Sequence, residues 1–549
     1  MESSNSKGGI GTLQLLPPEI RNSIFTNLNN PSLKSLRLTC SNLGRTVPLN
    51  IDRVFISANS LNIQVFRIIA DSEKYRHKVT EIIWDDARLS EGPKEPEEPE
   101  MMEVDQVIPE GLEVPEDIDE VPEPLDPNEV VASNGCPRWF TQRSADNGVG
   151  INNFDPPDDS MGFAQSWDYY KALLEDQREI LESNQDIQAF QYGLQRFPNL
   201  KRVTITPSTH GRIGQPMFET PMIRAFPPGF TYPLPRPWPY HGLDVFLLTD
   251  IPWVSATPGH EEEISYWRGF RVVTRALVEY EKFHRVTELI IGGREIMTGV
   301  NCHVFDQRCR EYNDLARLLK RPGFSRLDLD LQTFEIERDG IGWKSYRTGL
   351  LREALAQAKD LRHLSLRTTT DTKDPFWWIA QLPTTGTIPD RTIPLRMVLP
   401  LEDWPNLQHF GISNMLVTTR DLISVLTDLP RSLRSVELSN LAFDGDCWRG
   451  LLNEMLAKLD WRTRPVGERP TVHIPIATLY RTFDFGLYVD LDNAVSSFLY
   501  EDGENPFPDP TGLHNSEAHL IPRGIVGTER DFFDPDFSAP YEFTDKSEL

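Results

Sequence analysis

Phe324-Ser325-Arg326-Leu327-Asp328-Leu329-Asp330-Leu331 is the stretch from which the fold is read. Alternation puts Leu327, Leu329 and Leu331 on one face of a strand and Asp328 and Asp330 on the other. Phe324, three residues ahead of Leu327, completes an apolar-x-x-apolar-x-apolar signature. The same signature stands at Val79/Ile82/Trp84, Leu200/Val203/Ile205 and Val286/Leu289/Ile291 before it. After it come Leu361/Leu364/Leu366, Leu407/Phe410/Ile412 and Leu433/Val436/Leu438, with Val472 and Ile474 as a weaker eighth unit. The central positions lie 121, 86, 38, 37, 46 and 26 residues apart. The last four gaps are near the period of repeat architectures, and the first two leave room for long insertions.

Amphipathic helices fall between these strands. Tyr266, Phe270, Val273, Leu277 and Tyr280 share one helical face. Leu422, Ile423, Leu426 and Leu429 share another, as do Trp448, Leu451, Leu452, Met455, Leu456 and Leu459. Strand followed by helix, repeated, requires crossovers and hence a parallel sheet, so the fold class is α/β. Two arrangements satisfy this pattern: stacked repeats and a doubly wound sheet. In the stacked form the polar strand face collects Glu81, Arg202, Glu288, Asp328, Asp330, His363, His409 and Glu437. Asp328, Asp330, His363, His409 and Glu437 are the candidate target contacts there, and a mostly acidic face suits a partner with a basic patch. Asp328 and Asp330, as neighbouring carboxylates, also have the layout of an acid–base pair.

Near the N-terminus, Leu16-Pro17-Pro18-Glu19-Ile20 opens a short helix. Its prolines suit a first turn and Glu19 sits by the positive helix end. Leu16, Ile20, Ile24 and Leu28 recur every four residues with Phe25 beside them; after Asn29-Asn30-Pro31, a second run carries Leu33, Leu36, Leu38 and then Cys40. Residues 11–50 resemble the F-box, the three-helix module that binds the Skp-type adaptor of cullin–RING ubiquitin ligases. The resemblance rests on Leu-Pro-x-Glu-Ile, Ile-Phe-x-x-Leu and Leu-x-x-Leu-x-Leu-x-Cys. It implies adaptor contacts at Leu16, Pro17, Ile20, Ile24, Phe25, Leu28, Leu33, Leu36, Leu38 and Cys40. Family members often carry Trp three residues after the Cys, where this chain has Leu43.

The strand–helix units behind it resemble an irregular leucine-rich-repeat solenoid, with parallel strands and outer helices, of the kind that follows F-boxes in many fungal proteins. Regular repeats place Asn or Cys three residues after the last strand Leu. Here those positions hold Ala87, Ser208, Arg294, Gln332, Thr369, Met415 and Leu441, so irregular turns are expected.

The 549 residues carry a net charge of −26. Between Glu91 and Val130 stand sixteen acidic residues, one lysine and eight prolines, a local net of −15. Such a segment cannot pack a core and reads as a disordered acidic insertion. The expected organisation is a flexible 1–10, the three-helix module at 11–50 and a first repeat-like unit or connector at 51–90. The acidic insertion at 91–135 and the repeat domain at 136–499 follow, with an irregular tail at 500–549. Within the repeat domain, 216–239 holds eight prolines with Phe226, Phe230, Tyr232 and Trp238 among them, read as a loop packing its aromatics on the body.

The acidic balance argues against nucleic acid, and no apolar run reaches the ~20 residues of a membrane helix. Five scattered cysteines form no disulfide framework, so an intracellular setting, cytoplasm or nucleus, is expected. Cys302, His303 and Cys309 supply three possible metal ligands but no paired Cys-x-x-Cys knuckle. Gly292-Gly293-Arg294 lacks the Walker lysine and reads as a turn. No nucleophile elbow is present, and no cofactor is expected. The resemblance implies a non-catalytic receptor that docks on the Skp adaptor and cullin complex and holds an unknown target protein. The alternative is a non-ligase interaction scaffold carrying an F-box.

Overall fold

The computed structural model describes residues 13, 16–28, 30–92, 130–131, 135–145, 161–211, 216–235, 238–239, 251–293, 298–333, 343–369, 392, 395–444, 446–477, 487–489, 491–507 and 526–528. The expected flexible start, nearly all of the acidic insertion and most of the expected tail lie outside them. Among the described residues, α1 (Pro18–Thr26), α2 (Asn30–Thr39) and α3 (Ser41–Thr46) lie ahead of the sheet. Nine strands then form one parallel path: β1 (Arg53–Ile56), β2 (Glu81–Asp85), β3 (Arg202–Thr206), β4 (Glu288–Ile291), β5 (Arg326–Gln332), β6 (His363–Thr368), β7 (His409–Ser413), β8 (Ser435–Ser439) and β9 (Thr471–His473). Each strand pairs with the next in chain order; Val300–Asn301 adds a short piece beside β5.

That unbroken order is not the order of a doubly wound sheet, one of the two arrangements open at the level of sequence. A doubly wound sheet reverses its strand order at a switch point, which places helices on both faces. Here no reversal occurs, so crossovers of one hand keep the helices on one face. The helices include α4 (Ser60–Asp71), α5 (Phe163–Ser183), α6 (Gln185–Arg196), α7 (Arg268–Glu279), α8 (Arg310–Leu319), α9 (Leu350–Leu355), α10 (Thr419–Asp428) and α11 (Trp448–Lys458).

The register is set by a repeated device at the strand starts. The residue before each strand offers its carbonyl to two successive N–H groups of the next coil. Lys201 O accepts from Thr287 and Glu288, Ser325 O from Arg362 and His363, and Arg362 O from Gln408 and His409. This lines up Val54, Ile82, Val203, Leu289, Leu327, Leu364, Phe410, Val436 and Val472 as one buried row. Ile56, Trp84, Ile205, Ile291, Leu329, Leu366, Ile412 and Leu438 form a second. Both rows belong to one continuous core with the inward faces of the helices. β1 carries the same signature, Ile51/Val54/Ile56, in a region read from the sequence only as a unit or connector.

Two turns share one conformation. Asn414 and Asn440, each directly after a strand, adopt φ of 53° and 47°. Left-handed geometry is tolerated by Asn, and it swings the chain into the paired segments Leu416–Val417 and Ala442–Phe443. These two asparagines stand one residue before Met415 and Leu441, and it is their backbone conformation that turns the chain.

A second core closes the insertions. Leu89, Cys136, Trp139, Phe140, Tyr170, Leu174, Phe230 and Tyr232 are buried together. Residues on both sides of the acidic stretch thus land in the same aromatic cluster, alongside α5 and the proline-rich segment. Trp238, wholly buried, joins the main core instead.

Candidate interaction surfaces

The N-terminal module closes its own core with Phe25, Leu33, Leu43 and Val47, against which Leu13, Ile24, Leu28, Leu36, Cys40 and Leu49 are partly buried. The four-residue stripe read from the sequence is unevenly covered, with Ile24 and Leu28 against the core and Phe25, beside the stripe, inside it. Leu16 and Pro17 precede α1, Leu28 follows it, and Ile20 is 50% exposed while Phe25 is 3% exposed. Leu38 stands out from α2 at 86% exposure. Phe25 and Leu33, expected as adaptor contacts, are interior and reach a partner only by supporting the surface above them. Leu43, at the position where F-boxes often have Trp, is likewise interior. Cys40 Sγ accepts the Leu43 N–H at 3.5 Å and caps α3. The Asn30 side chain donates to Asn50 O at 2.6 Å and accepts from Asn50 N at 2.9 Å, tying α2 to the chain entering the sheet.

The sheet face opposite the helices carries a ladder of ion pairs. Arg53 Nε lies 2.7 Å from Glu81, whose other oxygen accepts the Thr204 hydroxyl at 2.7 Å. Arg202 donates to Glu288 at 2.9 and 2.5 Å, and Lys201 reaches the second Glu288 oxygen at 2.6 Å. Burial pushes the Glu288 carboxyl up, but Lys201 and Arg202 together outweigh it and hold the group below its ordinary range. Farther along, Arg326 grips Asp328 through two bonds of 3.0 and 2.6 Å, and His363 Nε2 approaches Asp328 at 3.2 Å. His363 stacks on His409 with ring centroids 4.0 Å apart, and His409 Nδ1 meets Ser435 Oγ at 3.1 Å. Burial, and after it the charge of His363, lowers His409 to about 3, so it is neutral at physiological pH.

The expected target residues therefore share one face, but not the mostly acidic one foreseen. Glu81, Glu288, Asp328 and Asp330 are each under a tenth exposed. Arg53 and Arg326, which the apolar signature does not flag, supply the alternating positive charge. Asp328 and Asp330 do not work as a couple: Asp330 Oδ2 accepts the Gly293 N–H at 3.0 Å. Gly292 must lack a side chain there, since a Cβ would stand 2.7 Å from that oxygen. Glu437 lies on β8, in register with Gly411 and His473.

A buried polar cluster went unnoticed in the sequence. Asp85 and Asp86, at the end of β2, are 2% and 3% exposed. Asp86 accepts from the indole N–H of Trp238 (2.7 Å) and Trp84 (3.2 Å) and from Gly269 N (2.9 Å). Asp85 accepts from Ala87 N at 3.0 Å, and its Oδ2 makes no hydrogen bond of good geometry among the described residues, although the Thr209 hydroxyl stands beside the carboxyl. Burial, aided by the charge of Asp86, pushes Asp85 up to about 7. His210, also buried, is lowered to about 3 by burial and shares a 2.8 Å hydrogen bond with the Tyr232 hydroxyl.

Cys302, His303 and Cys309 do not converge on a metal. Cys302 is buried, His303 Nδ1 pairs with Asp306 at 2.6 Å, and Cys309 Sγ caps α8 by accepting the Tyr312 N–H at 3.4 Å. Cys447 caps α11 in the same way through Gly450 N. No His, Cys, Asp and Glu group suited to a metal occurs among the described residues, nor any helix long and apolar enough to cross a membrane. No family model matches the chain, and no curated protein matches it.

Proposed function

We propose that this chain is the target-holding subunit of an SCF-type cullin–RING ubiquitin ligase and makes no bonds itself. Its N-terminal helices dock on a Skp-type adaptor. The strand–helix body, read as a leucine-rich-repeat-like solenoid, holds a target protein, so the contribution to ubiquitin transfer is proximity. One observation carries the reading: the small helical module leaves Ile20 and Leu38 in solvent although its own core is complete without them. Large apolar side chains left outside a closed core are what a docking partner covers. The unbroken parallel order and the turns at Asn414 and Asn440 support the repeat reading of the body.

The test is co-purification of the full chain with the adaptor. Leu16→Ala with Ile20→Ala abolishes it while melting of the body is unchanged, as expected when hot-spot residues worth ~2 kcal/mol or more are removed. Undiminished adaptor binding by that double variant overturns the proposed docking surface. Adaptor bound without a cullin would instead favour a non-ligase scaffold.

A further inference from the structure

The ion-pair face is not electrically uniform. At its N-terminal edge a cleft of about 580 Å³ opens across the starts of β3 to β6. Lys201, Arg202, Arg326 and Arg362 bring four permanent positive charges to its wall, with His363 beside them, against the carboxylates of Glu288 and Asp360. Buried Asp328, outside the lining, offsets Arg326, and the remaining positive balance stands in a chain whose net charge is −26.

The partners of these cations differ in a telling way. Glu288 serves both Lys201 and Arg202, and Glu81 stands 3.9 Å from the far side of the Arg202 guanidinium. Asp328 holds Arg326 through a two-point grip, which fixes the guanidinium plane. Asp360 uses Oδ2 to accept the Gly323 N–H at 2.7 Å. Arg362, exposed on the residue before β6, has neither a hydrogen bond nor an ion pair from its guanidinium among the described residues. An anion entering the cleft thus meets one uncommitted guanidinium flanked by cations already held in place. Such ordering reduces the entropy lost on binding, and a guanidinium can grip carboxylate or phosphate oxygens at two points.

We propose that this cleft binds an anionic group, phosphate or clustered carboxylates, carried on an extended segment of the target, with Arg362 as its main contact and Lys201 and Arg326 at its flanks. This reverses the expectation of a basic partner for the face. It rests on the target-holding function proposed above for the identity of the ligand, and on the cleft for its charge.

The test uses the full chain co-expressed with the adaptor and three fluorescent ten-residue probes: polyglutamate, a serine peptide with four phosphoserines, and polyglutamine. Anisotropy titrations at low salt should show binding of an anionic probe and none of polyglutamine. Arg362→Glu should weaken the bound probe at least tenfold, while Arg310→Glu, on α8 at the helical side, leaves it unchanged. Tighter binding of the phosphoserine probe assigns the site to phosphate, and equal binding assigns it to negative charge of either kind. Failure of both anionic probes to bind, or affinity indifferent to Arg362→Glu, overturns the proposal. Adaptor in the same preparations reads the other function separately: retained adaptor without probe binding refutes the cleft alone, and probe binding without adaptor refutes the ligase reading alone.

Discussion

Replacing Asp85 by Asn should make the protein more stable, and increasingly so as pH rises. The carboxyl is buried, one of its oxygens makes no hydrogen bond of good geometry among the described residues, and burial lifts its pKa from 3.8 to about 7. A raised folded-state value means that the folded protein holds the proton more tightly than the unfolded chain. The stability linked to that proton is complete below the unfolded value near 3.8 and is lost as pH climbs through about 7. Roughly three pH units correspond to on the order of 4 kcal/mol. Asn keeps the acceptor for Ala87 N and remains neutral, and its amide lies beside Thr209, whose Oγ1 is buried without a partner. The advantage of the variant should grow from roughly 1.5 kcal/mol at pH 5 to on the order of 4 kcal/mol at pH 8. For a chain this long that is a melting gap widening from ~2 °C to ~6 °C. Buried His210 and His409, both held at about 3, act oppositely: their contribution is present above the unfolded imidazole value and falls as pH drops. Both proteins share it, so the difference between them isolates Asp85. Scanning fluorimetry from pH 5 to 8 reads the gap, and a gap that stays constant refutes the reasoning.

Phe25→Ala or Leu33→Ala should cost about 3 kcal/mol by opening a cavity in the N-terminal module. Adaptor binding is then lost together with helicity of that module, unlike the Leu16 and Ile20 pair, and circular dichroism of the two variants separates the cases. At the helix caps, Cys309→Ala and Cys447→Ala should each cost about 1 kcal/mol. The corresponding serine variants, which keep an acceptor at the same place, should melt within a degree of the parent protein.

The strands were legible because each coil must bury the same three positions, and the chain writes that demand as a short signature. Leu361, Leu364 and Leu366 are at most 2% exposed for this reason. The α/β class and the parallel sheet followed from the strand–helix alternation alone. What stayed hidden depends on pairing across coils. Arg53 and Arg326 sit beside apolar positions without belonging to the signature, and only the register places them among Glu81, Glu288 and Asp328. The Asp86–Trp238 bond spans 152 residues of chain, beyond any local pattern. In the N-terminal module a period of four identified the helix, and Asn29-Asn30-Pro31 marked its break, but the period could not say which side chains stay in solvent. Helix α1 stops at Thr26, and within the stripe Ile20 is half exposed while Ile24 packs on the core of the module.

The two long insertions also decide how much of the sheet is left for a partner. Both leave from the ends of early strands, after β2 and β3, and they close on one another through the aromatic cluster of Trp139, Tyr170, Phe230 and Tyr232. The second sends Met217 and Phe218 across the face opposite the helices, where they bury Ile83 and pack on Phe55. Phe218 also stands 5.5 Å beneath the Arg53 guanidinium, so the first rung of the ion-pair ladder is roofed by an aromatic ring. On β1 and β2 the would-be contact face therefore combines the Arg53–Glu81 pair with an apolar patch and is occupied by the chain itself. From β4 onward, Glu288, Arg326, His363 and His409 line that face instead. On the proposed target-holding function, a target recognised by charge engages these later coils, and the cleft beside Arg362 lies at their start.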